Sequence, residues 1–227
     1  MSIYNDNLLL IHIPKCGGKS ARKYLKAHLP NYVDSLNGGS GKLPIDSTPL
    51  RYIEEYTGRP LDSWKKIVIP IRDPYAHAVS HWSFHRDSYA TGGGKHFDGV
   101  ASHCRDLAEW LDEPKSDFRL FFEKGIRKRP LDEVERLMAS EGFYEYYSTV
   151  NGVVPPNVEF IRCETMSEDF PNAVKEFVVN SSPFPRENVS PHSNPMEYYR
   201  ERRTHNLLYE RYKWAFKMFY NGKREET

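Results

Sequence analysis

The sequence predicts an α/β protein: a three-layer fold with a parallel sheet and helices on both of its faces. Three observations carry this. Leu8 to Ile13 and Ile67 to Ile71 are unbroken apolar runs, the mark of strands buried on both faces. Val158 to Arg162 reads as a third strand. Stretches of helical periodicity separate the three, and strands alternating with helices imply parallel pairing, with a ligand site at the strands' C-terminal ends.

Each element has a local reason. The first strand stops at Pro14, which has no N–H to give a ladder. Gly17 and Gly18 turn the chain, and Ser20, Ala21 and Leu25 open a helix with Lys and Arg on its outer face. Asn37 to Gly41 reads as a flexible loop. Asp46, Ser47 and Thr48 ahead of Pro49 form a helix start, and that helix ends at Gly58. Pro70 interrupts the second strand's run, so a bulge or a sheet edge is expected there. Pro74 begins the next helix, to about Phe84, and the glycine-rich stretch from Tyr89 to Gly99 reads as a mobile insertion. Further helices are expected at Arg105 to Leu111, Leu131 to Met138 and Glu168 to Val178. A final one covers Met196 to Tyr220, with Leu208, Tyr212, Ala215 and Phe219 as its buried stripe. The basic turn Lys124 to Arg129 reads either as a solvated loop or as a landing strip for an acidic acceptor.

The stretch from Leu8 to Leu25 organises the chemistry. Strand, glycine turn and helix aim backbone N–H groups and the positive end of a helix dipole at an anion. Lys15, Lys19 and Arg22 crowd the turn, so the loop should bind a phosphate or a similar group. A nucleotide-triphosphate loop needs a glycine where Ile13 stands, although Gly18-Lys19-Ser20 supplies its end. A cysteine phosphatase loop has the Cys16-to-Arg22 spacing, but Lys15 and Lys19 occupy its usual His and Gly places. A sulfonate-donor loop places a Lys just after a strand-ending Pro, as Lys15 is placed.

HIPKCGGKS, residues 12–20, resembles the 5′-phosphosulfate loop of sulfotransferases that use 3′-phosphoadenosine 5′-phosphosulfate (PAPS). A second match, IVIPIRDPYAHAVSHW at residues 67–82, is similar to that family's second donor motif, a strand ending in Arg with a Ser eight residues later. The resemblance implies a P-loop NTPase-like fold and one sulfotransferase domain over residues 1–227. It implies that Lys15 stabilises the departing phosphate oxygen and that Cys16, Gly17, Gly18, Lys19 and Ser20 hold the 5′ side. Arg72 and Ser80 would hold the 3′-phosphate. The activity implied is transfer of a sulfonyl group to a hydroxyl, in preference to an amine, of an acceptor that the sequence does not name, saccharides included. Adenosine 3′,5′-bisphosphate would be the product, with no metal required.

The family places its general base between the two motifs. There is no His from Lys42 to Leu50, and Asp46 is the nearest group able to take a proton, with helix capping as its rival role. His28, Lys42 and His12 stand behind it, although His12 reads first as a packed histidine. His77 stands where relatives carry Arg. Arg162-Cys163-Glu164 resembles the R-x-E that follows the third strand in the family. His77, His81 and His85 share a helical face like a zinc stripe, with no carboxylate or cysteine to complete it. The alternatives are a nucleotide or small-molecule kinase, and a protein that binds adenosine bisphosphate without turnover.

Composition adds boundaries. Lys and Arg number 32 against 31 Asp and Glu, so no global polyanion or nucleic-acid binder is indicated. Cys16, Cys104 and Cys163 are too far apart in sequence for a metal pattern and suit a reducing compartment. No apolar run reaches membrane-spanning length, and a cytoplasmic protein is expected.

Overall fold

A computed structural model describes residues 3–34, 47–90, 104–179, 182–186 and 194–220. Asp46, Lys42 and the glycine-rich stretches at 37–41 and 92–94 lie outside the described residues. The chain divides into two compact units, Met1–Asp73 with Tyr147–Val189, and Pro74–Tyr146 with Ser190–Thr227.

The first unit is built on a five-stranded sheet: β1 (Ile3–Tyr4), β2 (Leu8–Leu10), β3 (Val33–Asp34), β4 (Lys66–Ile71) and β5 (Val158–Arg162), in the order β3-β1-β2-β4-β5. β2, β4 and β5 are parallel, as the three apolar runs predict. β1 runs antiparallel to both β2 and β3, so the sheet is mixed rather than all parallel. Asn5 makes that reversal: its Oδ1 accepts from the N–H groups of Asn7 and Leu8, each at 2.9 Å.

Pro70 creates neither a bulge nor an outer edge. The β4–β5 register runs unbroken from Ile67 opposite Val158 to Ile71 opposite Arg162. Val68 carbonyl accepts from Ile11 N–H at 3.0 Å on the β2 side, so by alternation Pro70 faces β2 as well. The β2 ladder ends at Leu10, just short of the place where Pro70 has no hydrogen to donate. The backbone past Leu10 is thereby released into the turn that carries Lys15.

One sheet face packs Leu8, Leu10, Val68 and Ile161 against Ala21, Tyr24 and Leu25 of α1 (Gly18–His28), and against Met166, Phe170 and Val174 of a later helix, Met166–Val174. Between them in the chain lies α2 (Ile53–Thr57), entered through a 3₁₀ turn at Leu50–Tyr52 and closed by left-handed Gly58, φ 69°. Lys66 ties β4 to the later helix by donating to the Ala173 carbonyl at 2.8 Å, with Glu159 at 2.9 Å.

The second unit is helical. It holds α3 (Pro74–Ala90), α4 (Leu107–Asp112), a short turn α5 (Phe118–Leu120) that runs into a π-helix (Phe121–Ile126), α6 (Leu131–Ser140), and the first residues of α7 (Phe143–Ser148). Chain order then gives α8 (Met166–Val174) to the first unit and α9 (Arg202–Phe219) to the second. A kink at Tyr212 (φ −118°, ψ 15°) changes the phase of α9. Phe216 is therefore buried in place of the expected Phe219. Among the described residues, no helix is long and apolar enough to cross a membrane.

Candidate functional site

Two backbone features shape the loop after β2. Lys15 has φ 66° and Gly17 has φ 73°, and left-handed residues in a turn swing successive N–H groups toward one side. The conformation is cheap for Gly17 but strained for Lys15, a cost that marks functional loops. Cys16, fully buried between them, donates its N–H to the Ile13 carbonyl at 3.2 Å and closes the turn. Ala21 makes the first helical bond, to the Gly17 carbonyl at 3.1 Å, so the N–H groups of Gly18 and Lys19 lie ahead of the ladder. No side chain caps α1 and no acidic residue occupies its first turn, which leaves its positive end suited to an anion.

The glycines are set by what packs behind them. A Cβ on Gly17 would lie 2.6 Å from Met166 Sδ and 3.2 Å from Cys163 Sγ. A Cβ on Gly18 would lie 1.8 Å from His12 Cδ2 and 2.3 Å from its Nε2. The His12 ring thus lies against the start of α1, and on its other edge Nδ1 meets Ser47 Oγ at 3.2 Å. His12 is a packed, hydrogen-bonded histidine, and it links the loop to the segment that carries Ser47 and Thr48, both buried.

Electrostatics agree with the backbone. Burial, then the neighbouring charges of Arg72 and Lys19, push the Lys15 ammonium down to about 8. Arg72 reaches the loop from the end of β4, its Nη1 donating to the Lys15 carbonyl at 3.4 Å. The turn after Arg72 is fixed by Glu164, whose Oε1 accepts the Asp73 N–H at 2.9 Å. Glu164 is the acid of the stretch Arg162-Cys163-Glu164 that follows β5. Cys163 beside it has its thiol pushed up to about 12 by burial, above all, and is no nucleophile at neutral pH.

Arg22 departs from the crowd expected at the loop. Its Nε donates to Asp34 Oδ1 at 3.1 Å and its Nη2 pairs with Asp34 Oδ2, while Lys26 meets the same buried carboxylate at 3.0 Å. A cysteine phosphatase would need this guanidinium folded over the Cys16 loop. Here it is committed to Asp34 of β3.

Of the sequence-predicted residues, Lys15, Cys16, Gly17, Gly18, Lys19, Ser20 and Arg72 belong to the first unit. Cys16, Gly18 and Ser20 are buried there and Lys19 is exposed. Ser80 belongs to the second unit, buried on α3. Asp46 lies outside the described residues. On α3, His77 Nδ1 bonds to Tyr212 Oη at 2.6 Å, and His85 stacks on Trp110 with ring centroids 5.5 Å apart. The His77–His81–His85 stripe is therefore packed among aromatic rings. Among the described residues, no group of three or more His, Cys, Asp or Glu is placed to hold a metal ion.

Sequence reasoning did not find the roles of Asp34, Met166 and Ser47. Asp34 had no signal, since β3 is two residues long. No protein-family model matches the chain, and neither do curated proteins nor solved structures.

Proposed function

We propose that this chain is a PAPS-dependent sulfotransferase of P-loop type, acting on a hydroxyl of an acceptor such as a saccharide. The observation that carries the reading is the hydrogen bond from Arg72 to the Lys15 carbonyl, which joins the two stretches that resemble donor motifs. Two cations so close, one of them depressed to about 8, make a place where a multiply charged anion relieves repulsion.

The residues fit such a donor. PAPS supplies an activated sulfonyl group on a 5′-phosphate, with a second phosphate at the 3′ position. The N–H groups of Gly18 and Lys19 would take the 5′ end. Lys15 would stabilise the negative charge that gathers on the bridging oxygen as the sulfonyl group leaves, a contact stronger in the transition state than in the ground state. Arg72 would hold the 3′-phosphate, a role that the resemblance gives to Ser80 as well. The acceptor's proton needs a base, and Asp46 keeps that role in the proposal.

The test is transfer of labelled sulfonyl from PAPS to a panel of hydroxyl and amine acceptors. Transfer that is lost in Lys15→Ala supports the reading. Donor binding with no transfer to any acceptor favours a protein that binds the nucleotide without turnover.

A further inference from the structure

The turn that leads toward β5 carries a chemistry of its own. Val150 and Val153 pair as an isolated antiparallel bridge. Val150 N–H donates to the Val153 carbonyl at 2.9 Å, and Val153 N–H to the Val150 carbonyl at 3.0 Å. Asn151 and Gly152 lie between them, at φ 52° and φ 76°. Positive φ at both central residues is the type I′ geometry of a two-residue hairpin loop, and Asn-Gly is the pair that suits it best. Both residues are exposed.

The bridge uses the N–H groups of the two valines and leaves the pair between them idle. Among the described residues, neither the Asn151 carboxamide nor the Gly152 N–H makes a hydrogen bond. A Cβ placed on Gly152 would meet nothing within 4 Å, so no side chain crowds this residue, its own included. Other asparagines are held or blocked. Asn157 gives its Nδ2 to the Leu61 and Trp64 carbonyls, at 3.0 and 2.9 Å, and the next N–H, that of Val158, is donated to the Pro155 carbonyl. Asn194 is followed by Pro195, which has no N–H. Asn37-Gly38 and Asn221-Gly222 share the dipeptide but lie outside the described residues.

We propose that Asn151 is a modification site, where the chain deamidates without an enzyme and the hairpin becomes an aspartate or isoaspartate form. The Gly152 nitrogen attacks Asn151 Cγ and a new C–N bond forms. The Cγ–Nδ2 bond breaks, and ammonia leaves with the proton that Gly152 loses. Water then opens the succinimide ring at either of its two carbonyls. Cleavage at Cγ restores the ordinary backbone and leaves a carboxylate on residue 151. Cleavage at the main-chain carbonyl routes the backbone through Cβ and lengthens it by a methylene. A two-residue loop has no slack for that atom, because loop length fixes register, and the Val150–Val153 bridge is lost. Attack needs rotation about the Asn151 Cα–C bond, so the turn must open first. One bridge on an exposed surface opens locally, without unfolding of the chain. The turn precedes β5, whereas Cys163, which backs Gly17, follows that strand. The site therefore stands apart from the anion loop and does not rest on the sulfotransferase reading.

Peptide mapping of the whole chain by mass spectrometry tests the site, with samples aged at neutral and at mildly alkaline pH. A free peptide spanning residues 148–156 is aged alongside. Conversion at Asn151 should be faster at the higher pH, because the attacking nitrogen must lose its proton. It should lag the free peptide by no more than about a hundredfold, the worth of the two hydrogen bonds of the bridge. A greater lag, or a rate that does not rise with pH, overturns the site. The structural consequence is read with Asn151→Gly, which cannot deamidate and tolerates positive φ at both loop positions. Ageing should lower the midpoint of thermal unfolding more in the wild type than in this variant. Equal losses overturn the loss of the bridge. Neither readout uses the nucleotide, so failure of the sulfotransferase reading leaves the site standing, and the reverse holds as well.

Discussion

Arg72, at the end of β4, donates a hydrogen bond to the backbone carbonyl of Lys15, the strained residue of the β2 loop, at 3.4 Å. If this guanidinium also meets a 3′-phosphate, its removal discriminates between ligands. Arg72→Ala should weaken adenosine 3′,5′-bisphosphate by ~1.5–3 kcal/mol, the worth of a charge-assisted contact, and affect adenosine 5′-phosphosulfate much less. Calorimetric titration with both ligands is the check. Equal losses would assign Arg72 to loop support alone.

Lys15 makes donor binding depend on pH. Its ammonium, at about 8 in the ligand-free loop, rises when an anion enters, so binding above about pH 8 takes up a proton. Affinity should fall by up to about tenfold per pH unit as pH rises beyond that point. The sign for folding follows from the same depression. The unfolded chain holds this proton to 10.5, so the ligand-free protein gains stability as pH climbs from about 8 toward 10.5. Titrations in two buffers of different ionisation enthalpy measure the proton count. Lys15→Met should abolish the uptake, and proton release by the wild type would contradict the assignment.

The contact between Gly18 and His12 predicts a coupled pair. Gly18→Ala drives a methyl group into the imidazole, 1.8 Å from Cδ2, and should cost ~1–3 kcal/mol of stability as overpacking. Adding His12→Ala removes the obstacle and should recover part of that loss, a positive coupling in a double-mutant cycle. Strict additivity in thermal unfolding would mean that the ring does not lie against α1.

Arg22 should matter for folding and not for the donor. Arg22→Ala takes the guanidinium away from buried Asp34, at a cost of about 1–3 kcal/mol for an under-satisfied carboxylate. Bisphosphate affinity should stay within about twofold, since no step assigned here uses Arg22. A large loss of affinity in a folded variant would return Arg22 to the loop.

What the sequence revealed follows the strength of its local signals. The parallel strands β2, β4 and β5 lay in apolar runs, and left-handed Gly58 was marked by its type alone. β1 and β3, two residues each, are strands only because Asn5 turns β1 against β2. Register and reversal of that kind are tertiary facts. In the loop, Lys15 and the two glycines were legible from spacing. The reason Gly18 has no side chain was not, because His12 meets it through the fold. Arg22 misled, since helical spacing put it near the loop and only the position of Asp34 shows which way it turns. Arg127 and Arg129 read as part of a solvated turn or a landing strip, because nothing in the sequence marked Glu123, which both approach, as buried.

The central claim concerns the nucleotide, and the most direct measurement is its binding. Calorimetric titration of the wild-type chain with adenosine 3′,5′-bisphosphate, and separately with ATP and magnesium, compares the two chemistries that the loop suggests. A PAPS-type site predicts micromolar or tighter binding of the bisphosphate without metal, and binding of ATP weaker by a factor of at least about ten, or about 1.4 kcal/mol. Equal affinity for ATP, or a magnesium requirement, would contradict the account and make the chain a kinase candidate.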